Sequence, residues 1–288
     1  MMIEPCIDQD PILGSDPAWP KVEALRRWIE AHRPLMVAFS GGVDSAFLLA
    51  YAHRVLGQAV IAVTSIASIH PSSEIRLARQ LAAGLGVRHL CIDTAELSLT
   101  DFVRNGPERC YVCKHNLFST LRAMAAEHRI SWIAHGATMD DANDYRPGQR
   151  AASELDIQAP LAAAALCKEE IRRLSRRMGL ETWNRPAQAC LASRIVYGLR
   201  VSQERIDQVA AAEAELARLG IRGGRVRHHG HTARIEVAPD HYETMLRKDV
   251  RHRLITVVKQ LGFVFVTLDL EGYVAGSLNR ILDDASRG

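Results

Sequence analysis

The sequence predicts an α/β fold, a doubly wound parallel sheet followed by a smaller C-terminal α+β domain. Short apolar runs alternate with segments of helical spacing through residues 22–178. Strands that are apolar on both faces and separated by helices are typical of a parallel sheet covered on both sides. Beyond Pro186, two alternating strands joined by Gly230 lie between helical segments, which indicates a small α+β module.

The elements of the first domain can be placed in chain order. A first helix is expected at about 22–32, where apolar residues recur with helical spacing. The apolar runs predict strands at Leu35–Phe39, Ala59–Ser65, His89–Asp93 and Trp132–His135. Helical spacing predicts helices at Ala46–Leu56, Ser73–Leu85, Lys114–His128 and Lys168–Met178. Ligands of such sheets bind at the carboxyl ends of the strands, so the chemistry is expected at that edge.

An irregular stretch around Pro186 marks the expected domain boundary. It divides the chain into a tail of residues 1–20, a first domain of residues 21–185 and a second domain of residues 186–288. In the second domain the patterns predict helices at Gln203–Leu219 and about His241–Leu261, and strands at Arg225–His229, Thr232–Val237 and Phe263–Leu270. These elements would form a small three-stranded sheet covered by two helices.

The composition limits the class of protein. The chain has 288 residues, of which 48% are hydrophobic, and a formal net charge of +3. This mild positive charge suits anionic substrates, but no dense Lys/Arg block with aromatic residues predicts a nucleic-acid partner. No signal peptide and no apolar run of membrane-spanning length is found, so no membrane association is expected. Six irregularly spaced cysteines are typical of intracellular proteins, and a cytoplasmic location is expected.

The most informative segment is Ser40-Gly41-Gly42-Val43-Asp44-Ser45, between a predicted strand and a predicted helix. Such a turn points backbone N–H groups at one spot, where the helix dipole also favours an anion. Its glycines allow close approach of a phosphate, and Ser40 and Ser45 add hydroxyl donors. Asp44 fits this site if it holds Mg²⁺. The alternative interpretation is a helix entry with serine caps, but the strand–turn–helix context favours a phosphate site.

Cysteines supply the second group of candidates. Cys110 and Cys113 form a CxxC pair beside Arg109 and Lys114, at the start of a helix, which favours thiolates. The pair alone is compatible with a zinc half-site, a redox pair, iron–sulfur ligands or chance. Cys190 lies in a segment rich in Pro, Ser and Arg, so a loop position is expected over a buried structural one. Three thiolates could hold three irons of a [4Fe-4S] cluster.

Further polar residues follow predicted strands or begin helices. Asp140 and Asp141 could ligate Mg²⁺ or cap the next helix. Lys168 begins a helix, where the dipole disfavours a cation, so a pyrophosphate contact is expected for it. Arg225 and Arg227 lie on one face of a strand, either solvated at a sheet edge or forming a fork for a phosphate monoester. Two acidic residues of the preceding helix are interpreted as surface residues: Glu213 and Glu215.

The turn SGGVDS resembles the signature of the PP-loop ATP pyrophosphatases, which have an adenine nucleotide alpha hydrolase-like fold. The whole set of motifs resembles one branch of that group, the LarE-type ATP-dependent sulfur transferases that act in making a nickel-pincer nucleotide cofactor. The motifs run nearly end to end: VAFSGGVDS, PERCYVCKHNLF, HGATMDDANDYRPG, RPAQACLASRIVYG, VRHHGHTARIEV and DLEGYVAGSLN. The segments ACLASR, DYRPG and EGYVAGSLN are specific to the branch.

The resemblance implies a reaction. ATP adenylates a carboxylate of a pyridinium-3,5-dicarboxylate mononucleotide, and sulfur displaces AMP to give a thiocarboxylate. Cys190 matches the cysteine that handles sulfur, which in some members is the sacrificial donor and becomes dehydroalanine. In other members three cysteines hold a [4Fe-4S] cluster that carries the sulfur. Since Cys110 and Cys113 accompany Cys190, this chain matches the cluster-bearing version.

The resemblance also implies roles for other residues. The turn from Ser40 to Ser45 would hold the pyrophosphate of ATP, with Asp44 near Mg²⁺. The AMP moiety would be lined by Gly136 and the strand-end residues Thr64 to Ala67, and Asp141 is also expected to bind the cofactor. The phosphate of the substrate would be bound by three arginines: Arg194, Arg225 and Arg227. Relatives form symmetric oligomers, so a homo-oligomer is expected, while the source of sulfide stays open.

Three rival functions fit parts of the sequence. A PP-loop tRNA thiolase also uses a CxxC pair and a third cysteine, but it needs an extended basic RNA-binding surface. A non-catalytic nucleotide or iron–sulfur protein would bind ATP without releasing pyrophosphate. An ammonia-using ATP pyrophosphatase would have no use for the three cysteines and should tolerate their loss.

Overall fold

The structure, a computed structural model, describes residues 12–143, 147–186, 189–274 and 276–281. By its internal packing the chain divides into two compact units. The first unit comprises the described parts of Met1–Ile66, Ser73–Thr94 and Lys114–Ala187. The second unit comprises the described parts of Ala67–Ser72, Ala95–Cys113 and Gln188–Gly288. The boundary that the sequence predicts near Pro186 stays a prediction, but the segment 95–113 packs with the C-terminal part of the chain.

The helices and strands of the described residues are as follows. The α-helices are α1 Trp19–Ala31, α2 Val43–Leu56, α3 Ser72–Leu85, α4 Thr100–Val103, α5 Arg109–Glu127, α6 Pro147–Glu154, α7 Pro160–Ala163, α8 Lys168–Arg177, α9 Gln203–Arg218, α10 Tyr242–Leu246 and α11 Lys248–Gln260. The strands are β1 Leu35–Ala38, β2 Val60–Ser65, β3 Arg88–Ile92, β4 Trp132–His135, β5 Arg225–His229, β6 Thr232–Glu236 and β7 Phe265–Leu268. Short 3₁₀ segments lie at Gly57–Ala59, Glu96–Ser98, Met139–Asn143, Glu181–Asn184, Leu191–Arg194, Pro239–His241 and Ser277–Ile281. None of the helices in these ranges is long and apolar enough to cross a bilayer.

The first unit contains the predicted parallel sheet. Its strand order is β3-β2-β1-β4, and Leu35 of β1 lies opposite both Val60 of β2 and Trp132 of β4. The central strands β1 and β2 are almost entirely buried, as expected for a sheet covered by helices on both sides. Chain order and sheet order therefore differ, with β1 and β4 neighbours, and the α/β prediction is confirmed.

Packing in the first unit fixes the helix that follows β1. On α2, Phe47, Leu48 and Leu49 are fully buried, and Tyr51 is 2% exposed. Burying an aliphatic or aromatic side chain of this size contributes about 2 kcal/mol. A helix that is apolar on nearly all sides belongs in the interior of a domain. The turn between β1 and α2 is therefore held at both ends by the core.

The second unit contains a three-stranded sheet in the order β5-β6-β7. Strands β5 and β6 form an antiparallel hairpin at Gly230, whose φ of 67° a glycine adopts without strain, whereas β6 and β7 are parallel. Apolar side chains of α9, α11 and the sheet form its core, including Leu216, Val226 and Leu254. The smaller C-terminal α+β sheet is thus also confirmed.

One predicted helix differs from the structure. The sequence predicts a single helix at about His241–Leu261, but the chain breaks at Arg247, whose ψ of 136° is extended. The buried residues explain the break, because Val250, Leu254 and Val258 keep helical spacing while Met245 lies five residues before Val250. An unbroken helix would turn Met245 away from the face that these residues share.

Candidate functional site

The turn from Ser40 to Ser45 in the first unit has the geometry of an anion cradle. The backbone N–H groups of Ser40 and Gly42 donate to Ser45 Oγ and Ser40 Oγ at 3.3 and 3.4 Å. The two serine hydroxyls lie 3.1 Å apart, and Ser45 Oγ donates to the Gly42 carbonyl at 3.2 Å. The turn ends at the start of α2, with Val43 and Asp44 in its first turn. Helix dipole and hydroxyl donors therefore converge where the sequence predicts phosphate.

Two glycines make this turn sterically possible. Gly41 has φ of 76°, and a Cβ there would approach Ala78 Cβ to 3.1 Å. Gly136 follows β4, and a Cβ on it would lie only 2.8 Å from the backbone nitrogen of Ser45. The end of β4 therefore touches the backbone of the turn, and a side chain at 136 would intrude on the site.

Thr64 lies at the carboxyl end of β2 and joins neighbouring strands. Its hydroxyl donates to the Phe39 carbonyl at 2.6 Å and lies 2.8 Å from His89 Nε2. Because the hydroxyl proton is used by Phe39, the histidine nitrogen acts as the donor. Burial, followed by the charge of Arg79, lowers the pKa of His89, which favours this neutral ring.

Asp141 and Lys168 form a fixed pair near the end of β4. Asp141 is 3% exposed, and its Oδ2 accepts bonds from the Thr138 N–H and hydroxyl at 2.9 and 3.1 Å. Its Oδ1 accepts from Lys168 Nζ at 2.7 Å. The backbone N–H of Lys168 donates to Asp140 Oδ2 at 2.7 Å. The anion paired with Lys168 in the structure is the Asp141 carboxylate, and the pyrophosphate contact expected from the sequence stays a prediction.

His135 precedes Gly136 and adds a neutral ring to this edge of the sheet. The pKa of this histidine is lowered to about 4, mainly by burial and to a smaller extent by the charge of Lys114. The ring stacks edge-on against Phe118, with centroids 5.6 Å apart. The Asp144-Tyr145-Arg146 part of the DYRPG motif, which follows the paired aspartates, lies outside the described residues.

The three candidate cysteines all belong to the second unit. Cys110 and Cys113 lie near the start of α5, which begins at Arg109, five residues before the helix start predicted at Lys114. Cys190 immediately precedes the 3₁₀ segment Leu191–Arg194. Cys113 and Cys190 pack against one apolar cluster that also contains Leu191. All three thiols are partly exposed and none forms a disulfide.

Cys113 lies against a carboxylate that the sequence does not single out. Its thiol donates to Glu96 Oε1 with a sulfur–oxygen distance of 3.7 Å. Glu96 is 2% exposed, so its carboxyl group lies in an environment of low polarity. A buried acidic residue in a short 3₁₀ segment has no periodicity that sequence reasoning could detect.

Arg109 joins the two cysteine segments of this unit. It is 2% exposed, and its Nη1 donates to Asn105 Oδ1 and, at 3.0 Å, to the carbonyl of Ala192. Its guanidinium also lies 5.2 Å from the ring centroid of Tyr197. Asn105 Nδ2 donates to the Val196 carbonyl at 2.8 Å. The start of α5 is thereby tied to the segment that follows Cys190.

The three cysteines are of the residue type that binds iron–sulfur clusters, but their side chains are not gathered into a ligand group in the structure. Thiolates are the ligands such clusters require, and these three belong to one compact unit with two of them at one apolar cluster. Within the described ranges, however, no three or more His, Cys, Asp or Glu side chains are gathered to hold a metal ion. Asp44 therefore belongs to no such group in the described ranges, and its Mg²⁺ contact stays a prediction.

Three arginines that the sequence assigns to a phosphate are buried in the second unit. Arg194 is 1% exposed and Arg225 and Arg227 are each 5% exposed, so the solvated-edge interpretation of β5 is wrong. Arg194 pairs with Glu213 through two bonds of 2.9 and 3.1 Å, and its Nη1 donates to the Cys190 carbonyl at 3.2 Å. Arg225 lies over the Tyr273 ring at 5.2 Å.

The arginines connect directly to the Cys190 segment. Arg227 pairs with Glu236 at 2.7 Å and donates from Nη1 to the Ser193 carbonyl at 3.1 Å. Burial, then the charge of Arg194, lowers the pKa of Arg225. The charge of Arg194 therefore acts on Arg225, while Arg194 and Arg227 are each paired with a buried or half-buried glutamate. The segment carrying Cys190 and the arginine cluster form one continuous structure.

Two glutamates were missed by the sequence interpretation. Glu213 is bonded to Arg194 and also accepts from the Val226 N–H at 3.1 Å. Glu215 is fully buried and pairs with Arg253 and Arg218, each at 2.6 Å. The surface interpretation of these residues is therefore wrong. Helical spacing did carry a signal, since Glu215 shares the buried face of α9 with Ala212 and Leu216.

Comparisons with known proteins identify the family. Residues 22–115 match the asparagine synthase family model, in the part that carries the phosphate turn. The pyridinium-3,5-bisthiocarboxylic acid mononucleotide synthase of Lactiplantibacillus plantarum is 36% identical over 250 residues, 86% of this chain and 90% of that protein. The chain belongs to the LarE-type sulfur transferases. It is therefore an enzyme of the sulfurtransferase type with a PP-loop ATP pyrophosphatase domain.

Two further relatives match most of the chain. An uncharacterized protein of Synechocystis sp. is 37% identical over 262 residues, 91% of this chain and 98% of that protein. An uncharacterized protein of Methanocaldococcus jannaschii is 26% identical over 245 residues, 84% of this chain and 91% of that protein. The relatives of Synechocystis sp. and Lactiplantibacillus plantarum match 91% and 86% of this chain, so the similarity extends over most of its length.

Proposed function

We propose that this LarE-type enzyme uses ATP to adenylate a carboxylate of pyridinium-3,5-biscarboxylic acid mononucleotide and then replaces AMP with sulfur. The observation that carries the proposal is the phosphate turn Ser40–Ser45, with Gly136 against the backbone of Ser45. The name of the Lactiplantibacillus plantarum relative, a synthase of the bisthiocarboxylic product, supports the choice of substrate.

The first step consumes ATP in the first unit. A carboxylate oxygen of the substrate attacks the α-phosphorus, the bond from the α-phosphorus to the bridging oxygen breaks, and pyrophosphate leaves. The N–H groups and hydroxyls of the turn hold the pyrophosphate, with Mg²⁺ near Asp44. Lys168, which Asp141 holds in position, adds a positive charge that stabilises the negative charge of the leaving pyrophosphate. Thr64 and Gly136 lie at strand ends along which AMP would bind.

The second step delivers sulfur. A sulfur nucleophile attacks the activated carbonyl carbon, the bond from that carbon to the AMP oxygen breaks, and AMP leaves with a thiocarboxylate as product. Cys190 would handle the sulfur, and Cys110 and Cys113 would join it in holding a [4Fe-4S] cluster. When bound, the cluster supplies inorganic sulfur that can be replaced between turnovers. In the alternative, the Cys190 sulfur forms the new bond to the activated carbonyl carbon, after which the Cα proton of Cys190 is lost and its Cβ–S bond breaks, which releases the thiocarboxylate and leaves dehydroalanine.

The phosphate of the mononucleotide is assigned to the arginine cluster. Arg225 and Arg227 supply the fork, and Arg194 adds positive charge close to Arg225. Arg227 also touches the Ser193 carbonyl, three residues from Cys190. Binding of the phosphate there would hold the substrate beside the sulfur-handling segment. The expected cytoplasmic location and homo-oligomeric assembly belong to this proposal as well.

The experiment for the sulfur source measures iron and acid-labile sulfide in anaerobically purified protein. The matched variants are Cys110→Ala, Cys113→Ala and Cys190→Ala, with Cys91→Ala on β3 as control. About four irons per chain in the wild type and in the control, lost in each of the three variants, would support the cluster. Absence of iron after reconstitution would contradict it. The sacrificial alternative then requires a mass loss matching dehydroalanine at Cys190 after turnover.

A further inference from the structure

Arg185 reaches the phosphate turn from a distant part of the first unit. Its Nη1 donates to the carbonyl of Gly41 at 3.2 Å, inside the turn. Its Nη2 donates to Glu74 Oε1 at 2.7 Å. The two side chains are 24% and 17% exposed, so the pair is partly shielded and still reachable by a ligand. A guanidinium therefore borders the place where the negative charge of ATP is expected.

The backbone of Arg185 is fixed independently of Glu74. Its N–H donates to the Thr182 carbonyl at 3.0 Å, and its own carbonyl accepts from Arg172 Nη2 at 2.7 Å. Arg172 Nη1 also donates to the Trp183 carbonyl at 2.9 Å. These bonds hold the chain on both sides of the residue. Removing Glu74 would therefore leave Arg185 in place next to the turn.

The pairing with Glu74 can be exchanged at low cost. A partly exposed ion pair contributes little to stability. Glu74 lies in the first turn of α3, where the helix dipole stabilises a carboxylate even without its arginine. A polyphosphate carries more charge than one carboxylate and accepts two parallel bonds from a guanidinium. Phosphate is thus the stronger partner of Arg185.

We propose that Arg185 is a ligand of the β- and γ-phosphates of ATP and of the pyrophosphate product. Glu74 holds the guanidinium at the turn when no nucleotide is bound and releases it to the phosphates on binding. The proposal rests on the proposed function, because it uses the same turn. It adds a residue that stabilises charge developing on the leaving pyrophosphate.

Calorimetric titration with inorganic pyrophosphate and with AMP tests the proposal. In Arg185→Gln, pyrophosphate binding should weaken about tenfold or more, as expected for loss of a charged hydrogen-bond donor. Binding of AMP, which lacks the β- and γ-phosphates, should stay within about twofold. In Glu74→Gln, pyrophosphate binding should tighten, because the competing carboxylate is gone. Arg104→Gln, at an exposed ion pair of the second unit, serves as control.

The two substitutions should change pyrophosphate affinity in opposite directions, and this distinguishes a phosphate ligand from a residue with a purely structural role. If Arg185 only braces α3 against the turn, Arg185→Gln and Glu74→Gln should weaken pyrophosphate and AMP alike, which would overturn the proposal. Unchanged pyrophosphate binding in Arg185→Gln would overturn it too. In that case the proposed function would still stand, provided that the wild-type protein binds pyrophosphate. A wild type that binds neither ATP nor pyrophosphate would sink both. Thermal melting of each variant shows whether it is folded.

Discussion

At the scale of single residues, the sequence predicts side chains whose chemistry is carried by their type, and misses those whose role depends on burial. The turn Ser40–Ser45 and the cysteines at 110, 113 and 190 were recognisable from motif and spacing. The burial of Glu96, Asn105 and Arg109 became visible only in the structure, which places them in the interior beside the cysteine segments. No local pattern separates a buried arginine from a surface one, because tertiary contacts decide it.

Gly136 gives a residue-scale prediction on nucleotide binding. In Gly136→Ala, the new Cβ would lie 2.8 Å from the Ser45 nitrogen, so the turn must shift. We expect ATP to bind at least about tenfold more weakly by calorimetry, since backbone donors must stay in place to hold phosphate. Gly84→Ala is the matched control, because nothing lies within 4 Å of its Cβ and helix propensity favours alanine. Equal ATP affinity in both variants would contradict the assigned role of Gly136.

Arg109 gives a second residue-scale prediction, on stability. Arg109→Ala removes the donor to Asn105 and Ala192 inside the protein and leaves both acceptors without it. The free energy of unfolding should fall by about 3 kcal/mol, measured by urea denaturation. Arg104→Ala, which removes an exposed side chain, should change it by less than about 0.5 kcal/mol. Equal effects of the two substitutions would show that Arg109 does not hold the cysteine segments together.

At the scale of helices and strands, periodicity located most elements but not their interruptions. Strand β4 and strand β5 have the predicted bounds, and helix ends differ by a few residues. The break between α10 and α11 escaped prediction, because the two segments each carry helical spacing and only their relative phase is shifted. Helix α5 begins earlier than predicted, so the CxxC pair lies within the helix.

The contact between α9 and α11 is tested by Glu215→Gln. Arg253, followed by Arg218, holds the pKa of this buried carboxyl below its usual value of 4.5. Its ionised form therefore contributes stability above pH 4.5 that is lost as the pH falls through the lowered pKa. At pH 7 the variant should lose about 1–2 kcal/mol of unfolding free energy, and the difference should shrink below pH 4.5. Glu204→Gln, on the exposed side of α9, is the control. A difference that grows on acidification would contradict this assignment.

At the scale of the whole molecule, sequence order and spatial grouping differ. The fold class and the smaller C-terminal sheet followed from periodicity, whereas the grouping of residues 95–113 with the C-terminal unit did not. A segment of that kind joins its unit through contacts with residues far along the chain, such as the bond from Asn105 to Val196. Such pairing leaves no trace in local spacing. The grouping places Cys110, Cys113 and Cys190 in one unit.

The central claim is that ATP activation and sulfur handling are separate tasks of one LarE-type enzyme. The most direct test follows ATP, AMP, pyrophosphate and the nucleotide product by mass spectrometry, with pyridinium-3,5-biscarboxylic acid mononucleotide or tRNA as the acceptor. The wild type should form AMP and pyrophosphate with the mononucleotide and yield a product in which sulfur replaces oxygen. Cys190→Ala should still form pyrophosphate but yield no sulfur-containing product. Formation of ADP, sulfur transfer to tRNA instead, or undiminished sulfur transfer by Cys190→Ala would contradict the account.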